Sequence, residues 1–338
     1  MSNIEWTEKT WNPIVGCTVV SPGCTNCYAM KMAGRLERMG GAPQYDGTTQ
    51  KTKGGAVWTG KMALAEKAIP EPFKRKKPTM YFVNSMGDLF HENVPDDWID
   101  WVFHVMAQNP QHTFQILTKR SERMREYING LVLEDKELSE SIGPWPLPNV
   151  WLGVSCEDQA RADERIPDLL ATPAAVRFVS AEPLLGDIDF EYPKTLWPDG
   201  PPSCCSGTEC GCMGKPTEPP LIYGIDWVIV GGESGPGARP MHPDWARSIH
   251  AQCAAADVSF FFKQWGEWKT YIDRDNDDPD WRQNYRDTDG FEILNLAGGR
   301  GFHGERVHLM QRVGKKAAGR ELDGIIHDGM PNTEGKKL

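Results

Sequence analysis

A repeated alternation of short apolar runs and helical patterns constrains the fold of this chain more than any other feature. Strand-like runs occupy 79–83, 112–118, 149–154, 175–179, 226–230 and 258–263, with a first one expected around 11–15. Helical spacing of apolar residues marks 28–39, 96–109, 121–131, 158–171 and 243–256. Near-continuous apolar strands that alternate with helices indicate a parallel sheet covered by helices. We therefore predict an α/β fold, a partial (β/α) barrel with about six to seven parallel strands.

Polar residues follow most of the expected strands at their carboxyl ends. The groups are Asn84, Ser85 and Asp88; Thr118 and Lys119; Ser155 and Glu157; Ser180 and Glu182; Gly231, Gly232, Glu233 and Ser234; Lys263 and Gln264. A single group of this kind is explained equally well as a turn or a helix cap. In a (β/α) barrel, however, the carboxyl ends of the strands converge on one face, where active sites lie. Six groups in succession therefore predict a functional site at that face.

Three cysteines, Cys17, Cys24 and Cys27, lie within eleven residues on a loop that contains Pro and Gly and leads into the first helical pattern. We find no signal-peptide pattern and expect a reducing, cytoplasmic compartment, where clustered cysteines more often bind metal than form disulfides. Three ligands leave one metal position open, as in reactive sites. Two alternatives follow: a 4Fe-4S cluster with one iron free to bind another molecule, or a zinc loop completed by a distant His or Cys.

Composition sets two further limits. Of the 338 residues, 39% are hydrophobic and 25% charged, and no apolar run approaches the ~18 residues that span a bilayer. We therefore expect a soluble protein without a membrane partner. A formal net charge of −10 argues mildly against non-specific, salt-dependent binding of nucleic acid. The sequence still offers a local basic groove or, equally, solvated surface at 74–77, at Lys119 and Arg120, and at 312–316 with Arg320.

Two segments interrupt the pattern of strands and helices. We assign the barrel to 1–268 and, within it, a Cys-, Pro- and Gly-rich insertion to 187–222, between the fifth and sixth strands. Its cysteines Cys204, Cys205, Cys210 and Cys212 could bind zinc or an auxiliary cluster, although their spacing matches no standard zinc knuckle. Residues 269–338 lack periodicity and are expected to form an irregular C-terminal extension. Residues 40–60 predict an irregular crossing anchored by Trp58.

The cysteine loop, with its CxxC pair followed directly by Tyr28, resembles the cluster loop of radical S-adenosylmethionine (radical SAM) enzymes. The usual spacing in those enzymes is Cys-x3-Cys-x2-Cys, whereas six residues separate Cys17 from Cys24 here, so only the second interval matches. Across 4–7, 11–13 and 260–268, the chain is similar to a phage-encoded family that has this longer loop. Some members of that family are radical SAM isomerases that rearrange a glycine-modified thymidine in phage DNA.

The resemblance implies that Cys17, Cys24 and Cys27 hold a 4Fe-4S cluster with S-adenosylmethionine (SAM) on the free iron, which gives an adenosyl radical. The expected cofactor-binding residues are Tyr28, Asn84, Ser85, Asp88, Ser155, Glu182, Gly231, Gly232, Glu233 and Ser234, with Glu157 as a further candidate. The expected substrate-binding residues are Lys119, Lys263 and Gln264, with Trp265 and Trp268 near an extruded base. A flavodoxin or ferredoxin would supply the electron.

The predicted function is the isomerisation of N-linked to C-linked glycinyl thymidine in phage DNA, which protects viral DNA from host restriction. Two other classes stay open: a zinc-binding α/β accessory protein with structural cysteines, and a radical SAM enzyme for another nucleotide or a DNA lesion. A phosphate-binding role for the Gly-Gly-Glu segment lacks the GxGxxG and GxxxxGK[ST] patterns. A cysteine hydrolase lacks a convincing paired His.

Overall fold

A seven-stranded, all-parallel sheet forms the body of the protein. The computed structural model of the chain describes residues 4–133, 142–190, 220–274, 290–299 and 307–333. The strands of the sheet are β1 (Lys9–Trp11), β2 (Met80–Val83), β3 (Thr113–Thr118), β4 (Val150–Ser155), β5 (Val176–Ala181), β6 (Trp227–Gly231) and β7 (Ser259–Gln264). They lie in the sheet in the same order as in the sequence. This confirms the predicted partial (β/α) barrel.

Five helices are the main helical elements of the described residues. They are α1 (Tyr28–Met39), α2 (Asp96–Ala107), α3 (Ser121–Leu133), α4 (Gln159–Leu170) and α5 (Pro243–Ala255). The caps explain two of their starts: Asp158 accepts a hydrogen bond from the Arg161 N–H at 3.0 Å, and His242 accepts one from the Asp244 N–H at 3.1 Å. Each predicted helix agrees with the observed one to within about two residues, the usual scatter of helix ends.

The two faces of the sheet have separate apolar cores, because alternate residues of a strand point to opposite sides. Val228 and Val230 of β6 belong to the core shared with the helices. Trp227 and Ile229 point the other way and pack in an aromatic core with Trp6. This aromatic core fills the interior of the half-barrel near the amino ends of the strands. At the carboxyl ends of the strands, polar side chains replace the apolar ones.

The segment predicted as one first strand, 11–15, is divided in the structure. Lys9–Trp11 joins the main sheet beside β2, whereas Ile14–Val15 pairs antiparallel with Ala63–Leu64 in a separate two-stranded sheet. Pro13 separates the two pieces, and proline has no N–H to donate to a strand ladder. The chain therefore turns here, which brings the cysteine loop across the mouth of the barrel.

The stretch 40–60 contains a β-hairpin, Thr49–Thr52 with Gly55–Trp58, where the sequence predicted an irregular crossing. Trp58 is buried, as expected of an anchor, and belongs to a small apolar core with Met30 of α1. The hairpin therefore packs against the helix that follows the cysteine loop. Among the helices of the described ranges, none is both long and apolar enough to cross a membrane.

The C-terminal extension is more regular than the sequence predicted. It contains a three-stranded antiparallel sheet of β8 (Trp268–Arg274), β9 (Phe291–Asn295) and β10 (Val307–Arg312), with β10 in the centre. A short helix, Lys315–Ala318, and a hairpin, Glu321–Leu322 with Ile325–Ile326, follow. Cys204, Cys205, Cys210 and Cys212 lie outside the described residues, so their predicted metal binding stays a prediction.

Candidate metal centre at the mouth of the barrel

The cysteine loop lies across the carboxyl ends of the strands, where three of the strand-end groups hold it. Gly16 begins the loop with a positive φ of 105°, a conformation that favours glycine, and a Cβ there would lie 2.2 Å from the Lys61 carbonyl oxygen. The 3-10 turn Pro22–Cys24 follows, and Cys27 caps α1. The backbone therefore has a defined conformation both where the loop begins and where it enters α1.

Each of the three thiol sulfurs has a hydrogen-bonding partner that can donate to it. The Arg120 Nη1 lies 3.4 Å from the Cys17 Sγ, and the backbone N–H of Met30 donates to the Cys27 Sγ at 3.5 Å. The Ser21 Oγ lies 3.7 Å from the Cys24 Sγ. N–H and O–H donors around sulfur stabilise a metal-bound thiolate.

Burial raises the pKa of two of these thiols. The pKa of Cys17 rises to about 12, through burial first and then the nearby charge of Asp88, although Arg120 opposes the rise. Burial likewise raises the pKa of Cys27, and the charge of Cys24 adds to this effect. Without metal, Cys17 and Cys27 are therefore protonated at neutral pH.

Arg120, directly after β3, fixes the start of the loop. Its Nη1 donates to Asp88 at 3.2 Å as well as to the Cys17 sulfur, and its Nη2 donates to the Thr18 Oγ1 at 2.6 Å. Asp88 is held in turn by the Thr118 hydroxyl at 2.7 Å. The sequence analysis named Arg120 only as half of a basic pair, because nothing local signals a contact with a cysteine 103 positions away.

Glu157, after β4, fixes the centre of the loop. Its side chain is fully buried, and its carboxylate accepts from the Gly23 N–H at 3.1 Å, from Lys119 at 3.0 Å and from Arg165 at 3.1 Å. Burial alone would raise the pKa of Glu157, but the charge of Lys119 and a hydrogen bond from Ser21 outweigh it and lower the pKa to about 2. The carboxylate is therefore ionised at every physiological pH.

Gly23 is required by the same contact. A Cβ at this position would lie 3.1 Å from the Glu157 carboxyl carbon and 3.4 Å from the Lys119 Nζ. Side chains larger than hydrogen would push the loop away from its carboxylate anchor. The strand-end residues Lys119 and Glu157 thus have a structural partner in the loop, whereas the sequence assigned them to substrate and cofactor.

Glu233, after β6, fixes the end of the loop. It accepts from the Asn26 Nδ2 at 3.0 Å and from the Arg239 side chain at 2.6 Å, and Arg239 also donates to the Pro22 carbonyl at 3.0 Å. Burial opposes ionisation, but the hydrogen bonds from Arg239 dominate and lower the pKa of Glu233. Glu157 and Glu233 therefore hold the loop directly, and Asp88 holds it through Arg120.

The two glycines before Glu233 make room for the protein's own atoms. A Cβ on Gly231 would lie 2.4 Å from the Glu182 Oε1, and one on Gly232 would lie 2.1 Å from the Trp265 carbonyl oxygen. The sequence analysis assigned both glycines to a cofactor. The backbone contact requires glycine at 232, whereas at 231 the neighbour is a side-chain oxygen. SAM binding by this segment stays a prediction.

The remaining strand-end groups separate into two sets. Asn84 and Ser85 bind the chain near β1: the Asn84 Oδ1 accepts from the Ile14 N–H at 3.2 Å, and the Ser85 hydroxyl donates to Asn12 at 3.1 Å. Tyr28 and Ser234 are exposed, and Tyr28, at the start of α1, has an exposed fraction of 66%. Their predicted roles toward the cofactor stay predictions.

A second set lines the inner face of the half-barrel. Ser155 and Ser180 are buried there, and Lys263 forms an ion pair with Glu182 at 3.0 Å. Gln264 is buried and donates to the Gly232 carbonyl at 3.4 Å, while its Oε1 has no hydrogen-bond partner within the described part of the chain. An unpaired buried amide oxygen is costly. Two strand-end residues share this feature in the described part of the chain, because the Asn84 Nδ2 is likewise buried without a hydrogen-bond partner.

Two tryptophans that the sequence analysis placed near a base have packing contacts, and their role toward a base stays a prediction. The Trp265 indole N–H donates to the Glu321 carbonyl at 2.8 Å, and the Trp268 indole N–H donates to the Ala238 carbonyl at 2.7 Å. Both side chains are buried. They join the C-terminal extension to the barrel, because each indole hydrogen bond connects separate segments.

A cleft with a volume of about 730 Å³ lies beside the cysteine loop. Its walls include Pro22 of the loop, Arg239 and, from the C-terminal sheet, Glu292 and Arg312. The cleft therefore lies between the mouth of the barrel and the extension. Its size and charged lining suit a polar molecule larger than a single amino acid.

Comparisons with known proteins add a family but no activity. Among curated proteins, none matches the chain. Among solved structures, the chain is similar to a cysteine-to-serine mutant of spore photoproduct lyase, with a TM-score of 0.36 and 9% identity over 91% of this chain and 71% of that one. Values this low establish neither a shared fold nor a shared activity. A family model described as a protein of unknown function, DUF5131, matches residues 1–331, and the chain therefore belongs to the DUF5131 family.

Proposed function

We propose that this protein is a radical SAM enzyme whose Cys17, Cys24 and Cys27 hold a 4Fe-4S cluster. The observation that carries the proposal is the environment of the three sulfurs. Each has a hydrogen-bonding partner, and all three lie on one loop at the mouth of a parallel half-barrel. Active sites of (β/α) barrels lie at that end.

The donor set fits an iron–sulfur cluster better than a single zinc ion. Three thiolates on one zinc have their sulfurs roughly 3.8 Å apart, given Zn–S bonds of about 2.3 Å in a tetrahedron. In the described residues, one group of His, Cys, Asp and Glu side chains has at least three ligand atoms within 4.8 Å of one another, and it contains no cysteine. In a cubane cluster each cysteine binds a different iron, so its sulfurs lie farther apart.

A 4Fe-4S cluster with SAM supplies the one-electron chemistry that removes a hydrogen atom from an unactivated carbon. The chain's own residues hold and shield the loop. Glu157 binds the Gly23 N–H of the loop, and Arg120, paired with Asp88, places a positive charge beside the Cys17 sulfur. The aromatic core behind the inner face keeps water out of the half-barrel from the opposite end.

For the substrate, we propose a glycine-modified thymidine in phage DNA, isomerised from the N-linked to the C-linked form. The reaction breaks a C–H bond at the glycine α carbon and the C–N bond that links the glycine to the thymidine, and it forms a C–C bond at that carbon and an N–H bond at the nitrogen, so the mass is unchanged. Acid–base chemistry does not readily break such a C–H bond. The cleft beside the loop presents Arg239 and Arg312 together with Asp158 and Glu292, a mixed charged lining that suits a polar substrate.

The cluster is tested by anaerobic reconstitution with iron and sulfide. We expect about four irons per chain in the wild type and loss of the cluster signal in electron paramagnetic resonance in Cys17→Ala, Cys24→Ala and Cys27→Ala. Cys156→Ala and Cys253→Ala are the controls, because both thiols are buried away from the loop. Full iron content in Cys17→Ala, or zinc in place of iron at the loop, would contradict the proposal.

The substrate is tested separately. The reconstituted enzyme is incubated with reductant, SAM and glycine-modified phage DNA, and the digested nucleosides are compared by mass and fragmentation. We expect an isomer of unchanged mass and altered fragmentation that is absent with Cys24→Ala. Cleavage of SAM without any nucleoside change would refute the DNA substrate and leave the radical chemistry standing.

A further inference from the structure

A second cluster of metal-ligating side chains lies away from the cysteine loop, where the barrel meets the C-terminal extension. It consists of His242 and Asp244 at the start of α5 and His308 in β10, the central strand of the C-terminal sheet. Both imidazoles are fully buried, and Asp244 is partly buried. None of these residues belongs to the function proposed for the cysteine loop.

We propose that His242, Asp244 and His308 form a binding site for a divalent transition metal, with zinc as the first candidate. One ligand atom from each residue lies within 4.8 Å of the other two. The Asp244 Oδ2 is 3.5 Å from the His308 Nε2 and 4.0 Å from the His242 Nδ1. Ligand atoms on one tetrahedral zinc lie roughly 3.4 Å apart, given bonds of about 2.1 Å, so only small side-chain shifts are needed.

The local hydrogen bonds prepare two of the ligands. The His242 Nδ1 accepts from the Asp244 N–H, so this nitrogen carries a lone pair rather than a proton, and it lies 4.0 Å from the Asp244 Oδ2. A metal bound to the His242 Nδ1 replaces the Asp244 N–H as the partner of that nitrogen. Arg247 donates to the other carboxylate oxygen, Oδ1, at 2.6 Å, which leaves Oδ2 directed at the imidazoles.

Arg247 is itself neutralised by a second acidic residue. It donates to both carboxylate oxygens of Asp323, from Nη2 to Oδ1 at 2.6 Å and from Nε to Oδ2 at 3.0 Å. The positive guanidinium is therefore shared between two carboxylates, which reduces its repulsion of a nearby cation. Outer partners of this kind orient the carboxylate ligands of metal sites.

Two imidazoles and one carboxylate are the ligand types that zinc and iron(II) prefer, and three protein ligands leave a position for water or another group. The ligands come from two separate parts of the chain, the barrel helix α5 and the extension strand β10. A metal here therefore joins the extension to the barrel. Trp245, next to Asp244, lines the cleft, so the same joint supports one cleft wall.

The test is the zinc content and zinc coordination of the full chain after equilibration with zinc chloride and removal of excess metal. We expect one zinc per chain in the wild type and in Cys24→Ala, which makes the result independent of the iron–sulfur cluster. X-ray absorption at the zinc edge should show nitrogen and oxygen neighbours at about 2.0–2.1 Å rather than sulfur at about 2.3 Å. This measurement needs no destabilising variant.

Variants then assign the ligands. His308→Ala and the nearly isosteric Asp244→Asn should lose the zinc, while His250→Ala, on the same helix, should retain it. A protein with Cys204→Ser, Cys205→Ser, Cys210→Ser and Cys212→Ser should also retain it. The proposal is overturned if the wild type binds no zinc, if sulfur is the only neighbour, or if folded His308→Ala and Asp244→Asn keep their zinc.

Discussion

Replacing Glu157 with glutamine tests whether the buried carboxylate beneath the cysteine loop stabilises the protein. The substitution conserves size and leaves one amide oxygen for the Gly23 N–H. It removes the negative charge that faces Lys119 at 3.0 Å and Arg165 at 3.1 Å. Two cations then lie beside a neutral group in a site where the Glu157 side chain is fully buried.

The size of the effect follows from the pKa. The pKa of Glu157 falls from 4.5 to about 2, and one pKa unit corresponds to about 1.36 kcal/mol. The native environment therefore favours the ionised form by roughly 3 kcal/mol. Removing one partner of a buried ion pair costs about 3–5 kcal/mol in other proteins. We expect Glu157→Gln to lower the free energy of unfolding at pH 7 by about 3 kcal/mol.

The pH dependence has a defined sign. Since the folded-state pKa is depressed, the stabilisation is fully present above the unfolded pKa of 4.5 and is lost as pH falls through the folded value of about 2. The difference between wild type and Glu157→Gln should therefore be constant at neutral pH and shrink below pH 4.5. Urea unfolding at a series of pH values, followed by circular dichroism, measures it.

Glu164→Gln is the matched control, because Glu164 lies on α4 nearby, its side chain is 58% exposed, and its contact with Arg161 is 3.7 Å long. Such surface pairs contribute about 0–1 kcal/mol. If Glu157→Gln cost no more than Glu164→Gln at pH 7, or if its cost did not change with pH below 4.5, the assigned role of the buried carboxylate would be refuted.

Two further substitutions test the loop itself. Gly23→Ala should cost about 1–3 kcal/mol and lower iron incorporation, because the added methyl meets the Glu157 carboxyl. In Gly130→Ala, where the new methyl meets open space within α3, iron incorporation should stay unchanged and stability should rise by about 1 kcal/mol. Equal behaviour of the two variants would argue against the close contact. Arg120→Gln should make the reduction potential of the cluster more negative, because a positively charged donor to the Cys17 sulfur favours the reduced cluster. We expect a shift of some tens of millivolts, since about 59 mV corresponds to ~1.4 kcal/mol for one electron. Potentiometric titration measures the shift, Arg161→Gln on the exterior of α4 is the control, and an unchanged potential would show that Arg120 does not interact with the cluster.

The sequence by itself determined the strands and helices of the barrel. Apolar runs such as 113–118 and 227–231 are buried on both faces, which is the signature of a parallel sheet, and helical periodicity marks the layer between them. The sequence also identified the three cysteines as candidate metal ligands, because their close spacing on one loop is visible without the fold. The first strand was the main error in the barrel, where Pro13 divides an apolar run between two sheets.

Only the tertiary structure decided what the polar strand ends do. A polar residue after a strand predicts a place at the mouth of the barrel, yet its partner depends on which loop crosses that mouth. Gly23 and Glu157 are 134 positions apart, and Asn26 and Glu233 are 207 apart. No local pattern encodes such pairs, because the contact exists only after the sheet has formed.

The same reason applies to the second cluster of ligands. His242 and Asp244 are neighbours in the sequence, whereas His308 lies in a strand of the extension that the sequence predicted to be irregular. Two short polar side chains at a helix start predict a cap and nothing more. His308 lies beside the other two only because β10 packs against the start of α5. This packing depends on tertiary contacts between distant segments.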